Sequence, residues 1–200
     1  MLYKNLQGGS ELHTFNPKSI YYKKNICNTD NLRDHILKIK KEKKLFRNDF
    51  IDIYTSHNTN YILEKDIIFN ELFNKILNES KIFLLELGYT EEFINKIYVE
   101  SSWFNIGKKG DSLIKHIHPG SFLSGAFYVS CDKDDQILFF SDDDMTMPPE
   151  NFNDLSSKYM TFNCIKGSLL LFKSNINHCT NKQKSDEKIT ISFNLNFNKI

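Results

Sequence analysis

Lys188-Ile189-Thr190-Ile191-Ser192-Phe193-Asn194-Leu195-Asn196-Phe197 alternates polar and apolar residues without a break. Successive side chains of an extended strand point to opposite faces. Ile189, Ile191, Phe193, Leu195 and Phe197 therefore share one face, and Lys188, Thr190, Ser192, Asn194 and Asn196 share the other. An ordinary half-exposed strand has this pattern. So does a strand whose polar face, headed by a cation, holds an anion.

Working back from this strand, the chain stays β-rich as far as Ile97. Strands are expected near 97–106, 113–118, 122–130, 136–140, 160–165, 168–173 and 187–197, bounded by turn residues. Gly107-Lys108-Lys109-Gly110-Asp111 reads as a turn. The acidic stretch from Ser141 through Asp142 to Glu150 reads as part of a long loop crossing the mouth of the β structure.

Before Ile97 the period changes. Leu32, Ile36 and Ile39 share a helical face after a cap at Thr29 or Asp30, and the lysine-rich run 38–44 suits a helix C-terminus. A second helix is expected over 66–87, with Phe69, Leu72, Phe73, Ile76, Phe83, Leu84 and Leu87 on its apolar face and Gly88 as its left-handed cap. Thr90-Glu-Glu-Phe-Ile94 reads as one further turn. Ser19-Ile-Tyr-Tyr22 reads as a short edge strand, and 48–64 as a loop containing another. Helices followed by many short strands predict a mainly β fold, a helix-supported sandwich or jelly roll. The expected organisation is one domain, 1–200, with a helical support region over 1–96 and a β core over 97–200.

Composition bounds the partners. The 200 residues carry a formal net charge of +1, which gives no global field for nucleic acid or an anionic membrane. Lys38-Ile-Lys-Lys-Glu-Lys-Lys44 has no interleaved aromatic platform and reads as a solvated helix end. No apolar run reaches the length of a transmembrane helix, and the first residues do not resemble a signal peptide. A cytoplasmic location is the expectation, with no nucleic-acid or membrane partner. Cys27, Cys131, Cys164 and Cys179 are scattered and read as free thiols.

The histidines carry the chemistry. His13, His35 and His57 stand in loop or helix contexts without an evident partner. His116-Ile117-His118 is different, because residues at i and i+2 of an extended segment share a face. His178 follows the apolar strand Gly167-Ser-Leu-Leu-Leu-Phe-Lys-Ser174. If the fold returns it to the first pair, three imidazoles converge, and neutral imidazole suits iron. Lys188 lies ten residues after His178, a spacing at which a hairpin brings its ammonium close to such a centre. A cation with neighbouring hydroxyls suits a dicarboxylate through charge-assisted hydrogen bonds.

From about Trp103 to the C-terminus the chain resembles the 2-oxoglutarate/Fe(II)-dependent dioxygenase superfamily, and within it the small oxygenases of bacteria and their phages. The resemblance rests on Trp103-Phe-Asn105, Gly110-Asp111, His116-x-His118-Pro-Gly-Ser121, Ser124-Gly125-x-x-Tyr128, Gly167-Ser-Leu-Leu-Leu-Phe-x-Ser174, His178 and Ile191-Ser-Phe-Asn194. It implies a double-stranded β-helix, cupin-like, using Fe(II), 2-oxoglutarate and O2. It implies oxidative decarboxylation to succinate and CO2, coupled to hydroxylation of a C–H bond on a protein side chain such as proline or on a small metabolite.

The resemblance also matches His116 and His178 to iron ligands and Lys188 to the basic residue for the far carboxylate of 2-oxoglutarate. Thr190, Tyr128 and Asn105 are matched to further co-substrate contacts. Arginine, usual at the Lys188 position, occurs in this chain only at Arg33 and Arg47. The departure is His118, which stands where a carboxylate is common. Three readings follow: a His116, His118, His178 metal set; a carboxylate supplied by Asp142; or His118 as the ligand with His116 supporting it. A cupin-like metal- or small-molecule-binding module without turnover is the alternative function. An iron dioxygenase that does not use 2-oxoglutarate is a second.

Overall fold

In a computed structural model, described here for residues 2–5, 11–14, 18–42, 47–48, 53–57, 59, 62–140 and 159–198, the strands form three sheets. A hairpin pairs β1 (Leu2–Asn5) with β2 (Glu11–Thr14). Seven strands make the main sheet, in the order β3 (Ile20–Lys23), β10 (Leu169–Lys173), β7 (Leu123–Ser130), β12 (Lys188–Phe197), β6 (Ile97–Gly107), β5 (Ile53–Thr55) and β4 (Arg47–Asn48). The third sheet is β11 (His178–Thr180), β8 (Gln136–Phe140) and β9 (Tyr159–Asn163). Every pairing is antiparallel.

The alternation of β12 does what its sequence requires. Ile189, Ile191, Phe193 and Leu195 are fully buried in the larger of two apolar clusters. There they meet Leu32, Ile36 and Ile39 of α1 (Asp30–Glu42) and Leu72, Phe73, Ile76, Phe83 and Leu84 of α2 (Asn70–Glu86). At about 25 cal/mol per Å² of apolar area, this burial is the main favourable term holding helices to sheet. Gly88 takes φ +84° after α2, where a side chain would be strained. Thr90 accepts a hydrogen bond from Phe93 N at the start of α3 (Glu91–Ile94). Asn28 Oδ1 accepts from Asp30 N just before α1.

A second cluster fills the space between the two larger sheets: Ala126, Tyr128, Leu170 and Phe172 from one, Ile137 and Phe139 from the other, with Cys164 and Ile176. On the helix side, Gly125 lets Phe193 of the larger cluster lie against β7. A Cβ there would stand 2.3 Å from Phe193 Cζ and 2.7 Å from the Leu170 carbonyl oxygen.

One strand expectation changes. Residues 113–118 do not form a regular strand: the segment bends at Lys115 and makes a single bridge, His116 to His178. Its remaining backbone bonds leave the ladder, with Leu113 N donating to Thr180 Oγ1 and His118 N to the Ser174 carbonyl. Pro119, with no N–H, closes it. Before Ile97 the edge strand expected at 19–22 is β3 and the strand expected within 48–64 is β5, and with β4 they extend the main sheet on both sides. We infer from this shared sheet that 1–200 is one domain. Asp142 and the acidic loop lie outside the described residues. All four cysteines are free thiols. No helix among the described residues is long and apolar enough to cross a membrane.

Candidate metal and co-substrate site

His116 and His178 face each other across one antiparallel rung, each N–H donating to the other's carbonyl at 3.0 Å. Their rings are fixed in the same way: His116 Nδ1 bonds the carbonyl of Ile114 at 2.7 Å, and His178 Nδ1 that of Ile176 at 2.9 Å. A carbonyl only accepts, so each Nδ1 carries the proton and each Nε2 presents a bare lone pair. His118 joins from two residues along, its Nε2 3.3 Å from Nε2 of His178. One ligand nitrogen from each of the three lies within 4.8 Å of the others.

These are the properties of a metal-ligand set. Burial holds the His118 imidazole down to about 4, with the nearby His116 and His57 charges adding to the effect. Burial likewise holds His178 down to about 3, against the opposing pull of the Ile176 carbonyl. Both rings are therefore neutral at ordinary pH, as metal ligation requires. Cis ligands about 2.1 Å from a metal lie about 3 Å apart, close to the His118–His178 separation.

The triad opens into a cavity of about 390 Å³ whose floor is the polar face of β12 and its neighbours. Register places Asn105, Thr190 and Tyr128 on one rung across β6, β12 and β7, and Trp103, Ser192 and Ala126 on the next. All four residues expected to contact co-substrate, Lys188, Thr190, Tyr128 and Asn105, line this cavity together with the three histidines.

Lys188 is 7% exposed, with Nζ 5.6 Å from the centroid of the Tyr128 ring. Among the described residues no carboxylate forms an ion pair with it. Asp135, whose charge it feels, is taken up by Ser185 Oγ and the backbone N–H of Lys184 and Asp132. A buried ammonium balanced by a ring face and polar atoms is electrostatically incomplete without an anion. Tyr128 is a fully buried wall, its phenol pushed well up by burial.

Asn105 adds a second incomplete group. Its Nδ2 lies 3.2 Å from Ser192 Oγ, and its buried Oδ1 has no partner. An amide can present either end. With Oδ1 accepting from the Ser192 hydroxyl, the NH2 group becomes a donor to a carboxylate. The donor set and the orphaned amide thus fit a divalent metal with a dicarboxylate beside it.

Residues 101–194 match the family described as "Putative 2OG-Fe(II) oxygenase". The match covers 94 of the 200 residues. The matched span runs from β6 to β12 and contains every candidate ligand and co-substrate residue. The match points to a 2-oxoglutarate-dependent oxygenase, a family whose chemistry uses Fe(II), 2-oxoglutarate and O2.

No curated protein sequence matches the chain. Solved structures show the same fold at low identity. A prolyl-4-hydroxylase from Pseudomonas putida is 11% identical with a TM-score of 0.58, over 91% of this chain and 94% of that one. A non-heme alpha ketoglutarate dependent epimerase of nogalamycin biosynthesis is 7% identical with a TM-score of 0.62, over 90% and 77%. A Streptomyces hygroscopicus protein, solved with nickel, 2-oxoglutarate and hygromycin B bound, is 10% identical with a TM-score of 0.56, over 90% and 83%. The double-stranded β-helix expected from sequence is the observed fold.

Two histidines depart from their sequence readings. His35 has a partner after all: its Nε2 lies 2.7 Å from Asp66 Oδ2, and its ring packs on Phe69, which keeps it structural. His57 lines the cavity. Its backbone N–H donates to Thr55 Oγ1, while Ser56 ties the turn to Phe104 through both its backbone N–H and its hydroxyl. The ring of His57 thereby stands 4.6 Å from that of Trp103. No local pattern signals this position, because β5 pairs with a strand some fifty residues away.

Proposed function

We propose that this protein is an Fe(II)- and 2-oxoglutarate-dependent hydroxylase in which His116, His118 and His178 hold the metal. The observation that carries the reading is the convergence of three imidazoles at one end of a buried lysine-headed polar strand. When bound, the metal and 2-oxoglutarate supply the oxidative decarboxylation that drives oxygen insertion into a C–H bond, with succinate and CO2 as co-products.

The chain's own residues position and enclose. Lys188 neutralises the far carboxylate of the co-substrate. Thr190 and Asn105 donate to it, and Tyr128 walls the cavity behind it. The buried Phe172, Ile137 and Ala126 keep water from that end, which strengthens each charge-assisted bond. Three uncharged ligands leave a divalent ion's charge unbalanced, so an anionic co-substrate is favoured there for a second reason. The oxidised group is the side chain of a protein residue, such as proline, or a small metabolite. Likeness in fold to the prolyl-4-hydroxylase supports the first, and likeness to the protein solved with hygromycin B bound supports the second.

The test is anaerobic addition of Fe(II) and 2-oxoglutarate. A weak metal-to-ligand absorption band and, on admitting air, slow succinate release are expected, and His178→Ala should abolish both. Neither signal from iron-loaded protein would leave a binding module. Turnover independent of 2-oxoglutarate and indifferent to Lys188→Ala would make it a three-histidine dioxygenase of another type.

A further inference from the structure

The cavity has two unlike walls. One is the polar floor headed by Lys188. The other is aromatic and aliphatic: Trp103, one rung along from Asn105, in ring contact with His57 at 4.6 Å and 5.9 Å from His118, with Ile53, Ile114 and Ile117 also lining the cavity. Ile114 and Ile117 are 65% and 39% exposed, an unusual placement for isoleucines either side of a ligand histidine. Among the described residues the lining contains one carboxylate, Asp111, buried and already accepting from Lys108 N.

This charge distribution discriminates between substrates. A cationic group meets no free counter-charge among the lining residues described and, with a metal in the triad, is repelled. An anionic group competes with co-substrate for Lys188. An uncharged group loses least on desolvation and gains area against the indole face. We propose that the His57–Trp103 face is the prime-substrate subsite and that it takes an uncharged aliphatic group, a saturated ring or a branched chain. His57 and Trp103 determine specificity by contact. Ile114 and Ile117 form the rim over which the rest of the substrate leaves. This assignment rests on the oxygenase reading for its chemistry but not for its binding.

Trp103 is the only tryptophan in the chain, so its fluorescence reports on this wall alone. Protein loaded with Zn(II) and 2-oxoglutarate would be titrated with N-acetyl-proline amide and N-acetyl-leucine amide, and with N-acetyl-lysine amide and N-acetyl-glutamate amide. Cyclohexanecarboxamide serves as a probe with no peptide backbone. The expected result is saturable quenching or shift by the uncharged probes, with the charged pair at least about tenfold weaker, the order of discrimination a desolvated pocket provides. Preference for the acetylated amides over cyclohexanecarboxamide would indicate a peptide source, and the reverse a free small molecule.

His57→Ala should weaken the uncharged probes severalfold while leaving the Fe(II)–2-oxoglutarate band unchanged. Ile117→Asp, a change on an exposed rim, should raise affinity for the lysine amide. Equal or tighter binding of the charged probes, no response from any probe, or indifference to both substitutions overturns the proposal. If the absorption band is absent in the wild type while uncharged probes still move Trp103, the oxygenase reading falls and the subsite stands.

Discussion

Replacing Lys188 by methionine should move co-substrate affinity and stability in opposite directions. The side chain is 7% exposed, and no described carboxylate pairs with it. Methionine keeps the volume of the aliphatic stem while removing the charge. Losing a charge-assisted bond to a carboxylate costs about 1.5–3 kcal/mol, or about 10- to 150-fold in the dissociation constant of 2-oxoglutarate. The same change relieves the protein without co-substrate of an imperfectly compensated buried cation. A gain of about 1 kcal/mol, a rise of about 2–4 °C in Tm for a chain of this size, is expected. Calorimetric titration of Zn(II)-loaded protein with 2-oxoglutarate gives the first quantity, and thermal unfolding without co-substrate the second. An unchanged dissociation constant, or a Tm that falls with it, would refute the reasoning that Lys188 is held ready for an anion.

Two other outcomes follow from the packing and the imidazoles. Gly125→Ala places a methyl group 2.3 Å from Phe193 and 2.7 Å from the Leu170 carbonyl, so unfolding free energy should drop by about 1–3 kcal/mol, read from the denaturant midpoint. His118 and His178 titrate at about 4 and about 3 in the fold but near 6.5 when unfolded. Protons therefore bind the unfolded chain first as pH falls. Metal-free protein should keep its full stability above about pH 6.5 and lose it progressively below, with the interval down to about pH 5 assigned to histidine because most carboxylates titrate lower. His178→Gln should reduce the slope over that interval to about half, leaving the contribution of His118, and a wild-type stability already flat there would contradict the burial described.

Much of this was legible in the sequence because β12 is long. Ten alternating residues define a face, and the structure buries Ile189, Ile191, Phe193 and Leu195 on one side while Lys188, Thr190 and Ser192 line the cavity on the other. The convergence of His178 on His116 was legible only as a condition. β11 has three residues, too few for alternation to declare it, and its partner segment makes one bridge and no ladder. His57 was illegible for another reason: its place depends on β5 pairing with β6, a contact set by the whole sheet. Of the main-sheet strands before Ile97, β3 and β5 were anticipated at 19–22 and within 48–64, but β4, with two residues, is below the length at which a period can be read.

The rung joining His116 to His178 also has a kinetic meaning. Two candidate ligands sit on residues that exchange both backbone hydrogen bonds with each other, so a bound ion would be a cross-link lying in parallel with that rung. With the rung closed and each Nδ1 held by the carbonyl two residues back, neither imidazole swings clear. Release of the ion is tied to a local opening of the backbone, and capture to its reclosing. Chelators would remove the metal at a rate set by the fold rather than by their own concentration, and the amides of His116 and His178 would exchange with solvent on the same clock.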